Sequence, residues 1–217
     1  MNIEQARFNM IEQQIRPWDV LDTAVLELLA VVKREDFVPP AYRALAFVDT
    51  EVPLPEGQLM LAPRVEARLL QEAKVLRHET VLEIGAGSGF MAALLGHRAQ
   101  RVISMEIRPT LVKMATDNLR RAGLSNVTVR EGDGSQGLAA EGPFDVIVLS
   151  GSVAAVPQVL LDQLKVGGRL VAVEGEEPVM RATLRTRTSA SAITKVDLFD
   201  TVVPRLDDFA EPSRFHF

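Results

Sequence analysis

The chain has 217 residues, 47% hydrophobic and 24% charged, with a formal net charge of −5; that length suits one domain with a sizeable core, and that balance excludes collagen-like, coiled-coil and disordered classes. The acidic balance argues against nucleic acid as a partner, because binding to a phosphate backbone rests on clustered positive charge. Cysteine is absent and only His78, His97 and His216 supply imidazole, which removes disulfides, thiol nucleophiles and thiolate metal sites and leaves no metal site to read.

Residues 2 to 15 place Phe8, Ile11 and Ile15 on one face and Glu4, Gln5, Glu12 and Gln13 elsewhere, the pattern of an amphipathic helix that Pro17 ends. Asp19 or Asp22 caps a second helix with the stripe Val25, Leu26, Leu29 and Val32, which Pro39 and Pro40 stop. From Phe47 to Pro63 the turn formers Pro53, Pro55, Gly57 and Pro63 break any period, so an ordered and functional loop is expected there. The apolar stretches, such as Leu28 to Val32 and Phe90 to Leu95, fall far short of the roughly 20 residues that cross a bilayer. The amino terminus lacks the basic start of a secretory signal. A cytoplasmic protein without a membrane partner is the expectation.

From Thr80 onward short apolar runs alternate with helical stretches, the signature of βα units on a parallel sheet. Strands are expected at Thr80 to Ile84, Arg101 to Glu106, Val127 to Glu131, Phe144 to Leu149 and Arg169 to Val173, and helices at Met91 to Leu95, Pro109 to Ala122 and Val156 to Leu164. Met180 to Arg187 and Ile193 to Val203 read as two further strands joined by a Ser-rich turn. The class is α/β: a doubly wound, mostly parallel seven-stranded sheet with an N-terminal helical arm.

The chemistry concentrates where the strand Val81-Leu82-Glu83-Ile84 runs into Gly85-Ala86-Gly87-Ser88-Gly89 and then a helix. Glycines let backbone approach a nucleoside closely, and an open α/β sheet supplies a crevice at that strand end. A dinucleotide site wants its third glycine where Phe90 stands, whereas this loop reads acid-x-G-x-G-x-G, which favours S-adenosylmethionine over NAD. Glu106 ends the second strand, where a carboxylate can accept from both ribose hydroxyls. Gly132-Asp133-Gly134 ends the third, with Asp133 placed to accept from an adenine amino group or to hold a turn. Asp145 opens the fourth strand, and Gly167-Gly168 reads as a helix stop before the fifth.

These residues, with Met10 to Ile15, Asp36-Phe37-Val38-Pro39, Val52-Pro53-Leu54-Pro55, Gly57-Gln58, Pro157 and Gln163 to Val171, resemble class I S-adenosylmethionine-dependent methyltransferases, and more narrowly the protein-L-isoaspartate O-methyltransferase family, over almost the whole chain. The resemblance implies a Rossmann-like methyltransferase domain spanning 1–217. Within it, 1–63 form the helical arm and acceptor loop, 64–175 the cofactor-binding core, and 176–217 the C-terminal strands and tail. It implies S-adenosyl-L-methionine as cofactor and S-adenosyl-L-homocysteine as product, held by Glu83, Gly85, Ala86, Gly87, Ser88, Gly89, Glu106, Ile107, Gly132, Asp133 and Gly134. It implies carboxyl O-methylation of isoaspartyl residues in damaged proteins, with Gln58 and the position of Leu61 at the acceptor. The family continues after Gly-Gln with Thr-Ile-Ser, and its serine orients the acceptor carboxylate. Here Leu59, Met60 and Leu61 take those places. The leucines open two alternatives: a methyltransferase with a more apolar or small-molecule acceptor, or a non-catalytic S-adenosylmethionine-binding protein.

A carboxylate is already ionised at neutral pH and needs no general base, so positioning residues carry the catalysis. Backbone amides near Gln58 are one replacement for the lost donor. Arg64, which otherwise reads as an exposed helix-start residue, is the other. Glu174, Glu176 and Glu177 read as a solvated loop, Asp207, Asp208 and Glu211 as an acidic tail, and Arg181, Arg185 and Arg187 as the charged face of an edge strand. His216 reads as a docking residue for the carboxyl terminus.

Overall fold

Asn2 and Asp22 start the two helices of the arm, accepting from Gln5 N at 3.2 Å and Ala24 N at 2.9 Å, as short polar side chains do at N-caps. The computed structural model describes residues 2–211; His216 lies outside them. Helix α1 (Ile3–Asn9) passes into a π-helical stretch, Met10–Ile15, and a 3₁₀ turn, Arg16–Trp18, that contains Pro17. The wider π turn shifts the buried stripe. Met10, Ile11 and Ile15 face the core, and Phe8, expected beside them, is 58% exposed. Helix α2 (Thr23–Val31) buries Val25, Leu26 and Leu29 and stops where Val32 turns extended, well before the prolines. Pro40 instead opens a 3₁₀ helix, Pro40–Phe47, a first-turn position where its missing N–H costs nothing.

The segment read as a loop contains a hairpin, β1 (Val52–Pro53) with β2 (Leu59–Met60), whose register pairs Val52 with Met60. Strands this short leave no period in the sequence. The turn between them places Glu56 and Gly57 in left-handed backbone, φ 59° and 71°. Helix α3 (Pro63–Ala73) then leads into β3 (Thr80–Ile84), α4 (Phe90–Arg98), β4 (Arg101–Glu106), α5 (Pro109–Arg121), β5 (Val127–Glu131), β6 (Phe144–Val153), α6 (Gln158–Asp162), β7 (Leu164–Glu176), β8 (Val179–Arg187) and β9 (Ile193–Asp200).

The seven strands lie in the order β5-β4-β3-β6-β7-β8-β9. Pairing is parallel from β5 to β7, and β8 runs antiparallel to both β7 and β9. This is the expected doubly wound architecture. Alternate residues feed two cores: Val81, Val102, Val146 and Val171 pack with the arm and α3 and α4, whereas Leu82, Ile103, Ile147 and Leu170 pack with α6. Both faces are covered, as a parallel sheet requires. Chain order reverses between β3 and β6, so a crevice opens at their carboxyl ends.

Two polar assignments change. Glu174 lies buried within β7, where Thr183, Arg185 and Val156 N donate to it, rather than in a solvated loop. The edge strand is β9, not β8, so Arg181 pairs with Asp197 and Asp200 across the ladder, and Arg187 donates to the carbonyls of Asp162 and Leu164. Asp145 stands at the amino end of β6, accepting from Thr80 N at 2.8 Å and Lys165 Nζ at 2.7 Å, away from the crevice. Gly167 has φ 84° inside an irregular stretch of β7 rather than at the end of α6.

Candidate active site

Strand β3 ends in a loop that folds back on β4: Gly85 N and Ala86 N both donate to Met105 O, at 2.9 and 3.1 Å, and Gly89 N donates to Ala86 O at 2.7 Å. Gly85, Gly87 and Gly89 hold φ of 93°, 53° and 84°, a left-handed run that side chains resist. Gly89 is needed for space as well, since an added methyl would lie 3.2 Å from the backbone of Ala115 in α5. Ala86 and Ser88 are buried beneath the loop, and Ser88 O accepts from Asn118 Nδ2 at 2.8 Å.

Glu106, at the end of β4, accepts from Gly87 N at 2.9 Å and from Arg108 N at 3.0 Å. An ionised carboxylate offers about four acceptor sites, so capacity for two ribose hydroxyls remains. Gly85, Gly87, Glu106, Ile107, Gly132 and Gly134 line one cavity, joined by Gln58 and Leu59 from the hairpin. Gln58, with its amide oxygen turned to Arg108, accepts from Nε at 3.1 Å and Nη2 at 3.0 Å. The hairpin and the glycine loop therefore meet at one cavity.

Asp133 does not line that cavity. It is exposed and holds a turn, accepting from Ser135 N at 2.7 Å and Ser135 Oγ at 2.9 Å. Glu83 sits behind the glycine loop, fully buried, accepting from Ser104 Oγ at 2.5 Å and Ser150 Oγ at 2.7 Å. Burial pushes its pKa up to about 8 against those two hydroxyls, with nearby Glu66 and Glu106 adding to the rise. Leu61 is 4% exposed and lines a small inner cavity with Glu66, Glu83 and Ser88.

A family model for protein-L-isoaspartate(D-aspartate) O-methyltransferase matches residues 5–204. The chain belongs to that family. The protein-L-isoaspartate O-methyltransferase of Koribacter versatilis is 38% identical over 194 residues, 89% of this chain and 87% of its own. That of Gloeobacter violaceus is 40% identical over 185 residues, 85% of this chain and 90% of its own. A beta-aspartate methyltransferase of Plasmodium falciparum, solved in complex with S-adenosyl-L-homocysteine, has a TM-score of 0.76 over 95% of this chain and 99% of its own at 22% identity, a likeness of fold. This chain is an S-adenosylmethionine-dependent methyltransferase with the Rossmann-like fold of its class.

In this methyltransferase the Arg64 guanidinium is already engaged by neighbours from the amino-terminal region: it pairs with Asp49 and lies 4.1 Å above the Trp18 ring. Arg108 was not legible as a site residue, yet it binds Gln58, Glu56 at 3.3 Å and Asp207 at 2.7 Å. Asp207, read as part of an acidic tail, lines the same cavity as Glu106 and the glycine loop, with Leu206 and Phe209. Among the described residues no helix is long and apolar enough to cross a membrane, and no cluster of His, Asp and Glu could hold a metal ion.

Proposed function

We propose that the chain methylates the side-chain carboxylate of L-isoaspartyl residues in damaged proteins, in the cytoplasm. The observation that carries this reading is the shared cavity, in which Gln58 and Leu59 of the hairpin stand beside Gly85, Gly87 and Glu106. The relatives named for the isoaspartyl reaction favour this acceptor over a small molecule and over a non-catalytic role.

S-adenosylmethionine, when bound, supplies an activated methyl on a sulfonium. The glycine-loop backbone from Gly85 to Gly89 receives it, Glu106 accepts from its ribose, and Ile107, Gly132 and Gly134 form the adenine wall with Asp133 shaping the turn behind. Glu83 supports the loop from beneath through Ser104 and Ser150. Gln58 and Leu61 flank the acceptor, and a groove of about 420 Å³ lined by Thr50, Glu51, Arg64 and Val203 reaches the same Leu59 from outside, a route for an extended peptide.

Transfer forms a bond from the carboxylate oxygen to the methyl carbon as the methyl–sulfur bond breaks, leaving a neutral ester and a neutral thioether, so apolar walls favour it by excluding water. They also leave the carboxylate short of donors. Leucine at position 61 forgoes a hydrogen bond to a charged group of about 1.5 to 3 kcal/mol, which slows the reaction without preventing it. Labelled S-adenosylmethionine incubated with an isoaspartyl peptide and with its normal aspartyl counterpart tests the reading. Label in the isoaspartyl peptide alone is expected. Absence of label from both, with S-adenosylhomocysteine bound, refutes the acceptor.

A further inference from the structure

Arg108 stands on a rigid base between β4 and α5. Its carbonyl accepts from Leu111 N and Val112 N, both at 2.9 Å, and its own N–H donates to Glu106 at 3.0 Å. Its side chain reaches across to the acceptor hairpin. Nε and Nη2 donate to the amide oxygen of Gln58 at 3.1 and 3.0 Å, Nη1 to Glu56 at 3.3 Å and Nη2 to Asp207 at 2.7 Å. A guanidinium carries its donors in a planar fork of fixed geometry. Two carboxylates hold that fork in place, and two of its N–H groups converge on one oxygen.

The hairpin turn is held from its own side as well. Gln58 N donates to Pro55 O at 3.3 Å and Leu54 N to Gln58 O at 2.8 Å, closing a turn in which Glu56 takes left-handed backbone, φ 59°. Such a conformation persists in a residue other than glycine where the surroundings hold it, and Arg108 grips the Glu56 carboxylate. An amide presents its oxygen and its NH2 on opposite sides of one carbon. Turned over, the Gln58 amide would set NH2 against the guanidinium, donor against donor. With the oxygen on Arg108, the Nε2 donors are left to the cavity that Gln58 shares with Gly85, Gly87 and Glu106. The next residue, Leu59, lines both this cavity and the outer groove, so Gln58 stands where the two meet. Neither Leu59 nor Leu61 offers a side-chain donor there.

We propose that the side-chain amide of Gln58 donates through Nε2 to the acceptor carboxylate, in place of the hydroxyl that Leu61 lacks, and that Arg108 is the positioning residue that keeps the amide in this orientation. The inference rests on the isoaspartyl reading above. Without the guanidinium the amide turns over freely and presents its oxygen to the carboxylate in part of its states, so the site loses a donor and gains a repulsion. The main-chain N–H of residue 108 remains with any side chain, so Glu106 keeps that support and cofactor binding is spared.

Methylation of an isoaspartyl peptide by the full chain and by Gln58→Glu, Gln58→Ala, Arg108→Met and Arg108→Met/Gln58→Ala tests this, with S-adenosylhomocysteine calorimetry on each protein. Unchanged affinity for S-adenosylhomocysteine is expected throughout and shows that the cleft has folded. Gln58→Glu decides between a donor and a mere tie, because its oxygens still bind Arg108 and hold the hairpin but it carries no N–H. Its kcat/KM is expected to fall about ten- to hundredfold, the range for a hydrogen bond to a charged group, and a wild-type rate overturns the proposal. Arg108→Met is expected to lose about tenfold, and the double variant to be no slower than Gln58→Ala, since Arg108 acts through Gln58. Losses that add overturn it, as does weakened cofactor binding in Arg108→Met. An unlabelled peptide with the wild-type chain removes the isoaspartyl reading and this inference together, whereas a labelled one with Gln58→Glu equally active removes this inference alone.

Discussion

Arg34 Nη2 donates to the carbonyl of Leu61 at 2.7 Å from a side chain only 1% exposed. The same guanidinium pairs with buried Glu66 and lies 5.2 Å from the centre of the Phe90 ring. The end of the acceptor hairpin thus hangs from a charge inside the core, between the arm and α3. Arg34→Met is expected to cost about 3 to 5 kcal/mol, because it leaves Glu66 buried without its partner. Burial already pushes Glu66 up to about 7 against the pull of Arg34, so the loss is smaller in acid, where the carboxyl takes up a proton. Urea denaturation of Arg34→Met and of Arg34→Met/Glu66→Leu checks this, the double variant recovering most of the loss by replacing the pair with apolar contacts.

Leu61→Ser trades stability for rate. Leu61 is 4% exposed, and shortening a buried leucine costs about 2 to 5 kcal/mol. The hydroxyl it introduces offers the acceptor carboxylate a bond of about 1.5 to 3 kcal/mol, roughly ten- to hundredfold in turnover. A lower melting temperature with higher kcat/KM on an isoaspartyl peptide is the expected pair of results. A faster enzyme without rise in selectivity over aspartate would show that the hydroxyl does not face the acceptor.

The sheet was legible because its strands advertise themselves: Thr80–Ile84, Arg101–Glu106 and Val127–Glu131 fall where apolar runs and flanking glycines place them. The hairpin was not, because strands such as Val52–Pro53 and Leu59–Met60 are two residues long and follow no period. Phe8 misled through the π-helical stretch, whose extra residue per turn rotates a face that 3.6-residue counting keeps fixed. Glu106 and the glycines stood at strand ends, where topology alone puts ligand chemistry. Arg108, Asp207 and Leu206 meet over long sequence separations, 99 residues for the Arg108 and Asp207 pair, and spacing holds no signal for such contacts.

Glu106→Ala removes the acceptor of Gly87 N and Arg108 N and the proposed ribose partner together. Loss of hydrogen bonds to a buried charge weakens S-adenosylhomocysteine binding by about 1.5 to 3 kcal/mol. Glu106→Gln keeps the shape and one acceptor oxygen, and falls between wild type and alanine. Calorimetry orders the three proteins, and equal affinities would remove Glu106 from the cofactor site.

Glu83 links stability to pH. Burial places its folded-state pKa at about 8 and that of Glu66 at about 7, against an ordinary value of 4.5. Between these values the folded chain holds protons that the unfolded chain releases, so stability is full in acid and falls as pH rises through the folded-state pKa, by up to about 1.4 kcal/mol per pH unit for each group. Glu79, Asp145 and Glu174 act in the opposite sense: hydrogen bonds and cations outweigh their burial and hold each carboxyl below its ordinary range. Their contributions change only at lower pH. Glu83→Gln cannot ionise and keeps an oxygen for Ser104 or Ser150, so its stability is expected to decline less steeply between about pH 5 and about pH 8. Urea midpoints of the cofactor-free protein across that range check it, and parallel profiles for the two proteins would mean that Glu83 stays ionised behind the glycine loop.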